Sequence, residues 1–218
     1  MANRYVLIGG GLASAAAAKA LRVADPEGRV TLVTSEVDPP YRRPHLSKAL
    51  WKGGDVAKAM LDVASSGVEV RTGRTAKAVD VDGRRVELDD GETLDYDQLL
   101  LATGARARSL PVLPAAPPVV AYRSLADYRV ARERSGEGKR ALVVGGGFVG
   151  AELAAGLRDV GTDVHMVFPE TALGANRFPD GLARAVTERY VSRGVSVHAG
   201  TTIESAERAG QCVRVRLG

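Results

Sequence analysis

The chain has 218 residues, 45% hydrophobic content, a formal net charge of +4 and one cysteine. This composition is typical of a globular α/β protein, and it excludes a disordered chain, an intrachain disulfide framework and a redox-active CxxC pair. No apolar run reaches the roughly 20 residues that span a bilayer, and the dispersed arginines lack interleaved aromatic residues, so we expect a cytoplasmic protein without a membrane segment or a specific nucleic-acid partner.

The first predicted unit is a strand, a helix and a second strand, over 4–8, 12–24 and 29–34. A glycine-rich turn from Gly9 to Ser14 joins the first strand to the helix. Its glycines let the backbone approach a pyrophosphate, and the helix N-terminus attracts the phosphates. The turn therefore predicts a dinucleotide site.

Shorter elements follow in chain order. The expected elements are a proline-bearing loop over 38–44, a helical stretch over 55–64, strands over 68–71 and 75–80, hairpin turns at 82–83 and 90–91, and a strand over 98–102. The last of these is a continuous apolar run, which predicts burial on both faces of the sheet.

Four prolines between Ala105 and Pro118 mark a domain boundary. We therefore expect a first domain over 1–110, a linker over 111–123 and a second domain over 124–218. The second domain is predicted to contain a helix over 124–135, a strand over 140–144, a helix over 148–160 ended by Gly161, a strand over 163–168, a helix over 180–193 and a strand over 195–198.

A second glycine-rich turn, from Gly145 to Gly150, repeats the strand–turn–helix context of the first. Two such turns in one chain indicate two dinucleotides. The predicted fold class is α/β, with two Rossmann-like dinucleotide-binding domains.

The strand over 212–217 has the pattern of the first arm of a hairpin. A doubly wound domain that ended there would expose a sheet edge, which native proteins normally cover. We therefore expect both domains to be incomplete in this chain and a second polypeptide to complete them. A natural split subunit, a nicked chain and a shortened form remain open as explanations.

Four motifs together resemble a known family. They are Pro40 to Lys48 (PYRRPHLSK), Leu100 to Ala105 (LLATGA), Gly145 to Glu152 (GGGFVGAE) and Val167 to Glu170 (VFPE). This set resembles the two-dinucleotide flavoprotein reductases of the ferredoxin reductase and apoptosis-inducing factor type. The resemblance implies FAD in the first domain, NAD(P)H in the second, hydride transfer between nicotinamide and flavin, and a ferredoxin or a small molecule as electron acceptor.

The resemblance also implies roles for individual residues. Lys48 and Glu152 correspond to residues that pair beside the flavin in the family. An aromatic residue at the position of Phe148 covers the flavin there, so Phe148 is either such a cover or an ordinary packing residue. His45 replaces a proline of the family motif, so its role is either proton transfer or that of an ordinary loop residue. Arg43 is either a surface charge or a bidentate partner of the FAD pyrophosphate, which its donor geometry favours.

Two acidic residues are candidates for the adenosine riboses. Glu170 follows the second strand of its unit, where a carboxylate favours NAD over NADP, although Arg177 nearby keeps NADP open. In the first domain the acidic position of the family aligns with Ser35, next to Glu36. The further predicted FAD contacts are Gly9, Gly11, Ser14, Pro44, Ala76, Ala102, Thr103, Gly104 and Arg106, and those to the nicotinamide dinucleotide are Gly145, Gly147 and Gly150.

Ser14 stands where most relatives have glycine or alanine. Its hydroxyl is tolerated there if it bonds to the backbone.

Two alternatives to the reductase remain. In the first, the flavin oxidises a small organic substrate beside a vestigial nicotinamide site, which the intact second turn and Glu170 argue against. In the second, the chain is a non-catalytic NAD(H)-sensing module, which slow or absent turnover would indicate.

Overall fold

The structure is a computed structural model that describes residues 2–115 and 118–218. Residues 116 and 117 of the expected linker lie outside the described residues. The chain divides into two compact units, one formed by Met1–Arg43 and Asp55–Arg106 and the other by Pro44–Gly54 and Ala107–Gly218. Residues 44–54 therefore group with the second unit, although they interrupt the first in sequence.

The first unit contains a four-stranded parallel sheet and a three-stranded antiparallel sheet. Its elements are β1 (Arg4–Ile8), α1 (Leu12–Ala24), β2 (Arg29–Thr34), β3 (Glu69–Thr72), β4 (Ala76–Asp80), β5 (Arg85–Leu88), β6 (Thr93–Asp95) and β7 (Gln98–Leu101). The parallel sheet has the order β3-β2-β1-β7 and the antiparallel sheet the order β4-β5-β6. This topology confirms the Rossmann-like fold predicted for the first glycine-rich turn.

The alternation of β1 creates two cores. Leu7 points into a cluster with Ala15 and Ala18 of α1, because successive side chains of a strand face opposite sides. Val6 and Ile8 point the other way, into a cluster with residues of β5. The first strand is thus held on both faces, which fixes the turn that follows it.

The prediction of a continuous helical stretch over 55–64 is wrong. The structure has two 3-10 turns there, Val56–Ala59 and Ala64–Ser66. Between them Met60 forms an antiparallel bridge with Tyr41. The Leu61 amide donates to the Pro40 carbonyl over 2.7 Å, and the Arg42 amide donates to the Ala59 carbonyl over 2.8 Å. This pairing holds the backbone extended where a continuous helix was expected.

The prediction that the strand over 98–102 is buried on both faces is also wrong. β7 pairs with β1 in the described residues and lies at the edge of the sheet. Leu99 and Leu100 are half-buried, and Leu101 is 63% exposed. Its apolar run reflects an edge strand whose outer side has no partner in the part of the chain that the structure describes.

The second unit contains a three-stranded parallel sheet of order β10-β9-β8 and a separate hairpin. Its elements are α2 (Pro44–Ser47), a 3-10 turn (Ala49–Lys52), α3 (Leu125–Glu133), β8 (Arg140–Val144), α4 (Phe148–Asp159), β9 (Asp163–Phe168), α5 (Asp180–Ser192), β10 (Ser196–Ala199), β11 (Ile203–Ala209) and β12 (Cys212–Leu217). Gly161 follows α4 with φ of +88°, as expected of a residue that ends a helix. The second Rossmann-like fold is confirmed.

The strand at 212–217 is the second arm of a hairpin, so its assignment as a first arm is wrong. β12 pairs antiparallel with β11. The sequence of β11, IESAERA, is polar and mostly exposed, and it therefore lacks the apolar alternation that would have identified it.

Among the helices of the described residues, none has the length and apolar character needed to cross a membrane.

Candidate functional site

The first glycine-rich turn is shaped by close packing at two positions and by open space at a third. Gly9 has φ of +124°, and a Cβ there would lie 2.1 Å from the carbonyl oxygen of Ala102. A Cβ on Gly10 would lie 2.4 Å from the hydroxyl of Thr34. A Cβ on Gly11 would meet nothing within 4 Å. The turn therefore presents bare backbone at the N-terminus of α1, which fits a pyrophosphate group.

Ser14 lies under this turn with a buried and unpaired hydroxyl. The residue is 0% exposed, and its Oγ has no hydrogen-bond partner among the described residues. The backbone bond that would make this hydroxyl tolerable is therefore absent from the described residues. A buried hydroxyl without a partner destabilises the fold.

Glu36 and Arg43 form a half-buried cluster with Tyr41. Arg43 Nη2 lies 2.5 Å from Glu36 Oε1, and the Tyr41 hydroxyl donates to Glu36 Oε2 over 2.5 Å. The Arg43 guanidinium also lies over the Tyr41 ring, 5.2 Å from its centroid. The structure thus brings the two predicted FAD contacts together, with Arg43 directed at Glu36.

The remaining predicted FAD contacts of the first unit occupy two places. Ala102 lies against Gly9 after β7, followed by the exposed Thr103, Gly104 and Arg106. Ala76, on β4, packs against the hydrophobic cluster between the two sheets of the unit. The first group borders the glycine-rich turn, whereas Ala76 is in a packing position.

The second turn also has an open glycine before its helix, although its close packing falls at other positions, because a Cβ on Gly145 would meet nothing within 4 Å. A Cβ on Gly146 would lie 2.8 Å from Phe168 Cγ, and one on Gly150 would lie 2.1 Å from the Gly145 carbonyl oxygen. A Cβ on Gly147 would meet nothing within 4 Å. Here too the packing requires glycine at two positions and leaves the backbone open at the position that begins the helix.

Lys48 and Glu152 meet within the second unit, and Ser47 joins them. Lys48 Nζ lies 2.7 Å from Glu152 Oε2, and Ser47 Oγ donates to the same oxygen over 2.6 Å. Burial raises the pKa of Glu152, but the hydrogen bonds from Lys48 and Ser47 and the Lys48 charge outweigh it, so the pKa of the carboxyl is lowered overall. Glu152 is therefore an anion held by two donors.

Sequence reasoning missed Ser47. The signal available was its place beside Lys48 in the motif, but a serine there is also typical of an ordinary helix terminus. The hydrogen bond depends on where α2 lies on α4, which spacing along the chain does not reveal.

Glu170 and Phe148 lie near the second turn, each with a partner from the loop after β9. Asn176 Nδ2 donates to Glu170 Oε1 over 2.9 Å. The Arg177 guanidinium lies 6.0 Å from the centroid of the Phe148 ring, which is 55% exposed. The carboxylate is thus oriented by an amide, and the nearby cation is placed on an aromatic ring.

Pro44 and His45 open α2. Pro44 is exposed and His45 is half-buried, and the His45 carbonyl accepts a bond from the Lys48 amide over 3.3 Å. In the described part of the chain there is no group of three side chains suited to a metal ion. The candidate site therefore consists of the two open glycine-rich turns, the Glu170 carboxylate near the second turn, and the Lys48–Glu152 pair in the second unit.

Comparison with known proteins shows which family the sequence matches. Residues 3–218 match the sequence profile of the pyridine nucleotide-disulphide oxidoreductases. The chain is 34% identical, over its whole length, to the anthranilate 1,2-dioxygenase system ferredoxin–NAD(+) reductase component of Burkholderia cepacia, of which it covers 56%. It is 32% identical, over 98% of its length, to the putative mitochondrial apoptosis-inducing factor 1 of Drosophila melanogaster, of which it covers 34%.

A solved structure of a ferredoxin reductase is also similar to this chain. The crystal structure of the ferredoxin reductase for the CYP199A2 system from Rhodopseudomonas palustris superposes with a TM-score of 0.88 at 31% identity. The match covers 99% of this chain and 55% of that one. The chain therefore spans about half the length of the ferredoxin reductases that it matches.

Proposed function

Since this chain belongs to the pyridine nucleotide-disulphide oxidoreductase family, as its motifs predicted, we propose that it binds FAD on the first unit and NAD(P)H on the second and takes part in hydride transfer between them. The observation that carries this proposal is the pair of matching turns. Each has bare backbone at a helix N-terminus, at Gly11 and at Gly147, where a pyrophosphate is favoured by free N–H groups and the helix dipole.

FAD, when bound, supplies the acceptor for the hydride that a reduced nicotinamide donates. The residues of the chain bind and orient the two cofactors. Lys48 holds a positive charge that favours a more electron-rich flavin, and Glu152 keeps that ammonium oriented by accepting its hydrogen bond. Phe148 and His45 are further candidates, for covering the flavin and for proton transfer.

The proposed nicotinamide coenzyme is NAD(H). The Glu170 carboxylate, oriented by Asn176, suits a ribose 2′-hydroxyl and repels a 2′-phosphate. The cation that would favour NADP, Arg177, lies over Phe148. These contacts support a preference for NADH.

The proposed electron acceptor is a ferredoxin, with a small organic molecule as the alternative. The relative from Burkholderia cepacia is named as a ferredoxin–NAD(+) reductase component, and this supports the choice. Because the chain covers 56% of that protein, we propose that residues outside these 218 complete the FAD site.

A non-catalytic NAD(H)-sensing module is a second candidate, favoured by the similarity to the Drosophila apoptosis-inducing factor. The two functions differ in turnover. A reductase reduces an added acceptor over many cycles, whereas a sensor binds NADH tightly and turns over slowly or not at all.

Stopped-flow reduction of the FAD-loaded protein by NADH tests the role of Lys48. Lys48→Ala removes the charge, and we expect it to slow flavin reduction at saturating NADH about tenfold, equivalent to about 1.4 kcal/mol of barrier. Lys52→Ala is the matched control, because Lys52 is an exposed lysine in the adjoining 3-10 turn. Reduction of Lys48→Ala at the wild-type rate would refute the assignment.

A further inference from the structure

The Lys48–Glu152 ion pair is too exposed to fix its own geometry. The Lys48 side chain is 55% exposed and the Glu152 side chain is 32% exposed. Exposed pairs of this kind gain little from their attraction, because water screens the charges and a long lysine loses conformational freedom when it is held in one geometry. Another contact must therefore position the carboxylate.

Ser47 supplies that contact. The residue is 8% exposed, its side chain is short, and its hydroxyl donates to Glu152 Oε2 over 2.6 Å. That oxygen is the one that also accepts from Lys48. A buried serine with one side-chain torsion holds the carboxylate more firmly than the exposed lysine does.

The backbone of Ser47 is itself anchored on both sides. The Tyr122 hydroxyl donates to the Leu46 carbonyl, and the Tyr128 hydroxyl donates to the Leu50 carbonyl over 3.1 Å. Trp51 lies against α4 at Gly156, where a Cβ would be 2.6 Å from the indole Cγ.

Glu152 and Gly156 are four residues apart in α4 and share one helix face. The segment over 46–51 is thus docked on the helix face that carries Glu152, and the serine hydroxyl is directed at a fixed point.

We propose that Ser47 is a positioning residue: it fixes the Glu152 carboxylate, which in turn orients the Lys48 ammonium. This inference rests on the proposed hydride transfer for its kinetic consequence. Its structural part, the hold of Ser47 on Glu152, does not depend on that function.

The titration of Glu152 gives a direct readout. The hydrogen bond from Ser47 stabilises the ionised carboxylate and helps to lower the pKa of Glu152, so Ser47→Ala raises that pKa. As the pH falls, the variant protonates Glu152 sooner than the wild type and releases Lys48 sooner. A side chain with a merely structural role would not move this titration.

The experiment uses the FAD-loaded protein with 13C-labelled glutamate side chains. NMR titrations of the wild type, Ser47→Ala and Ser47→Thr are compared, and the limiting rate of flavin reduction by NADH is measured across the same pH range. Ser205→Ala is the matched control, since Ser205 is an exposed serine of the same unit. Ser47→Cys, which keeps the volume but donates weakly, is a second variant should Ser47→Ala fail to fold.

The proposal expects three results for Ser47→Ala and Ser47→Cys: Glu152 titrates at higher pH, the acid limb of the rate profile moves the same way, and the limiting rate falls about threefold to tenfold, or about 0.7 to 1.4 kcal/mol. Ser47→Thr keeps the wild-type value of all three quantities, and the KM for NADH is the same in the wild type and the variants. The proposal would be overturned if Glu152 titrated at the same pH in the wild type, Ser47→Ala and Ser47→Cys.

The two proposals fail separately. If Ser47→Ala moves the Glu152 titration while Lys48→Ala reduces flavin at the wild-type rate, the positioning role is supported and the role of the charge in hydride transfer is refuted.

Discussion

Replacing Ser14 with alanine should stabilise the protein. The Ser14 hydroxyl is fully buried and has no partner among the described residues. Removing an unpaired buried hydroxyl recovers about 1–3 kcal/mol, and alanine is favoured over serine in a helix by up to about 0.5 kcal/mol. The void left by one oxygen atom costs up to about 1 kcal/mol. We therefore expect a net gain of about 1 kcal/mol.

Two neighbouring alanines of α1 provide matched controls. Ala15 is 2% exposed, so Ala15→Ser inserts a hydroxyl into the same core and should destabilise the protein by about 1 kcal/mol or more. Ala16 is exposed, so Ala16→Ser should stay within about 0.5 kcal/mol of the wild type. The contrast separates burial of the hydroxyl from helix propensity, which both controls share.

The assay must report on the first unit. The single tryptophan of the chain, Trp51, belongs to the second unit, so its fluorescence does not follow α1. Urea unfolding followed by far-UV circular dichroism, combined with hydrogen exchange of peptides from β1 and α1, measures the required stability. A Ser14→Ala protein destabilised by about 1 kcal/mol would refute the reasoning, because it would show that the hydroxyl has a partner in solution.

Three further substitutions test the second unit. Gly147→Val should leave stability nearly unchanged, because a Cβ there meets nothing within 4 Å. It should nevertheless abolish NADH binding in a fluorescence titration. Gly146→Ala, whose Cβ would lie 2.8 Å from Phe168 Cγ, should instead destabilise the fold. Unaltered NADH affinity in Gly147→Val would count against the second site. Glu170→Gln should weaken NADH about tenfold and strengthen NADPH, since it removes the repulsion of a 2′-phosphate; an unchanged ratio of the two dissociation constants would exclude Glu170 as the selecting residue.

The sequence predicted the two Rossmann-like units because their signals are local. Gly145 and the β-branched strand before it lie within a few residues of the helix that they introduce, and the same holds for Gly9. The regular helices and parallel strands were accordingly placed within about two residues of their observed ends. Features that depend on pairing with distant residues were not.

The errors have a common physical cause. The helix expected over 55–64 is interrupted because Met60 pairs with Tyr41, and β7 is exposed because it has an edge position. Each outcome is decided by tertiary contacts, which override local preference.

The candidate site divides in the same way. The resemblance implied that Lys48 and Glu152 pair, and the structure brings them to 2.7 Å. It gave no indication that Ser47 shares the carboxylate oxygen, or that Arg43 is directed at Glu36. These contacts depend on side-chain placement across elements, which a motif does not encode.

The most direct test of the central claim is the absorbance of the purified, FAD-loaded protein during anaerobic addition of NADH, with intact masses recorded by denaturing mass spectrometry. The account predicts a yellow protein whose oxidised-flavin band is bleached by about one equivalent of NADH, with any second polypeptide visible by mass. Binding of NADH to the FAD-loaded protein without bleaching of the oxidised-flavin band would contradict it.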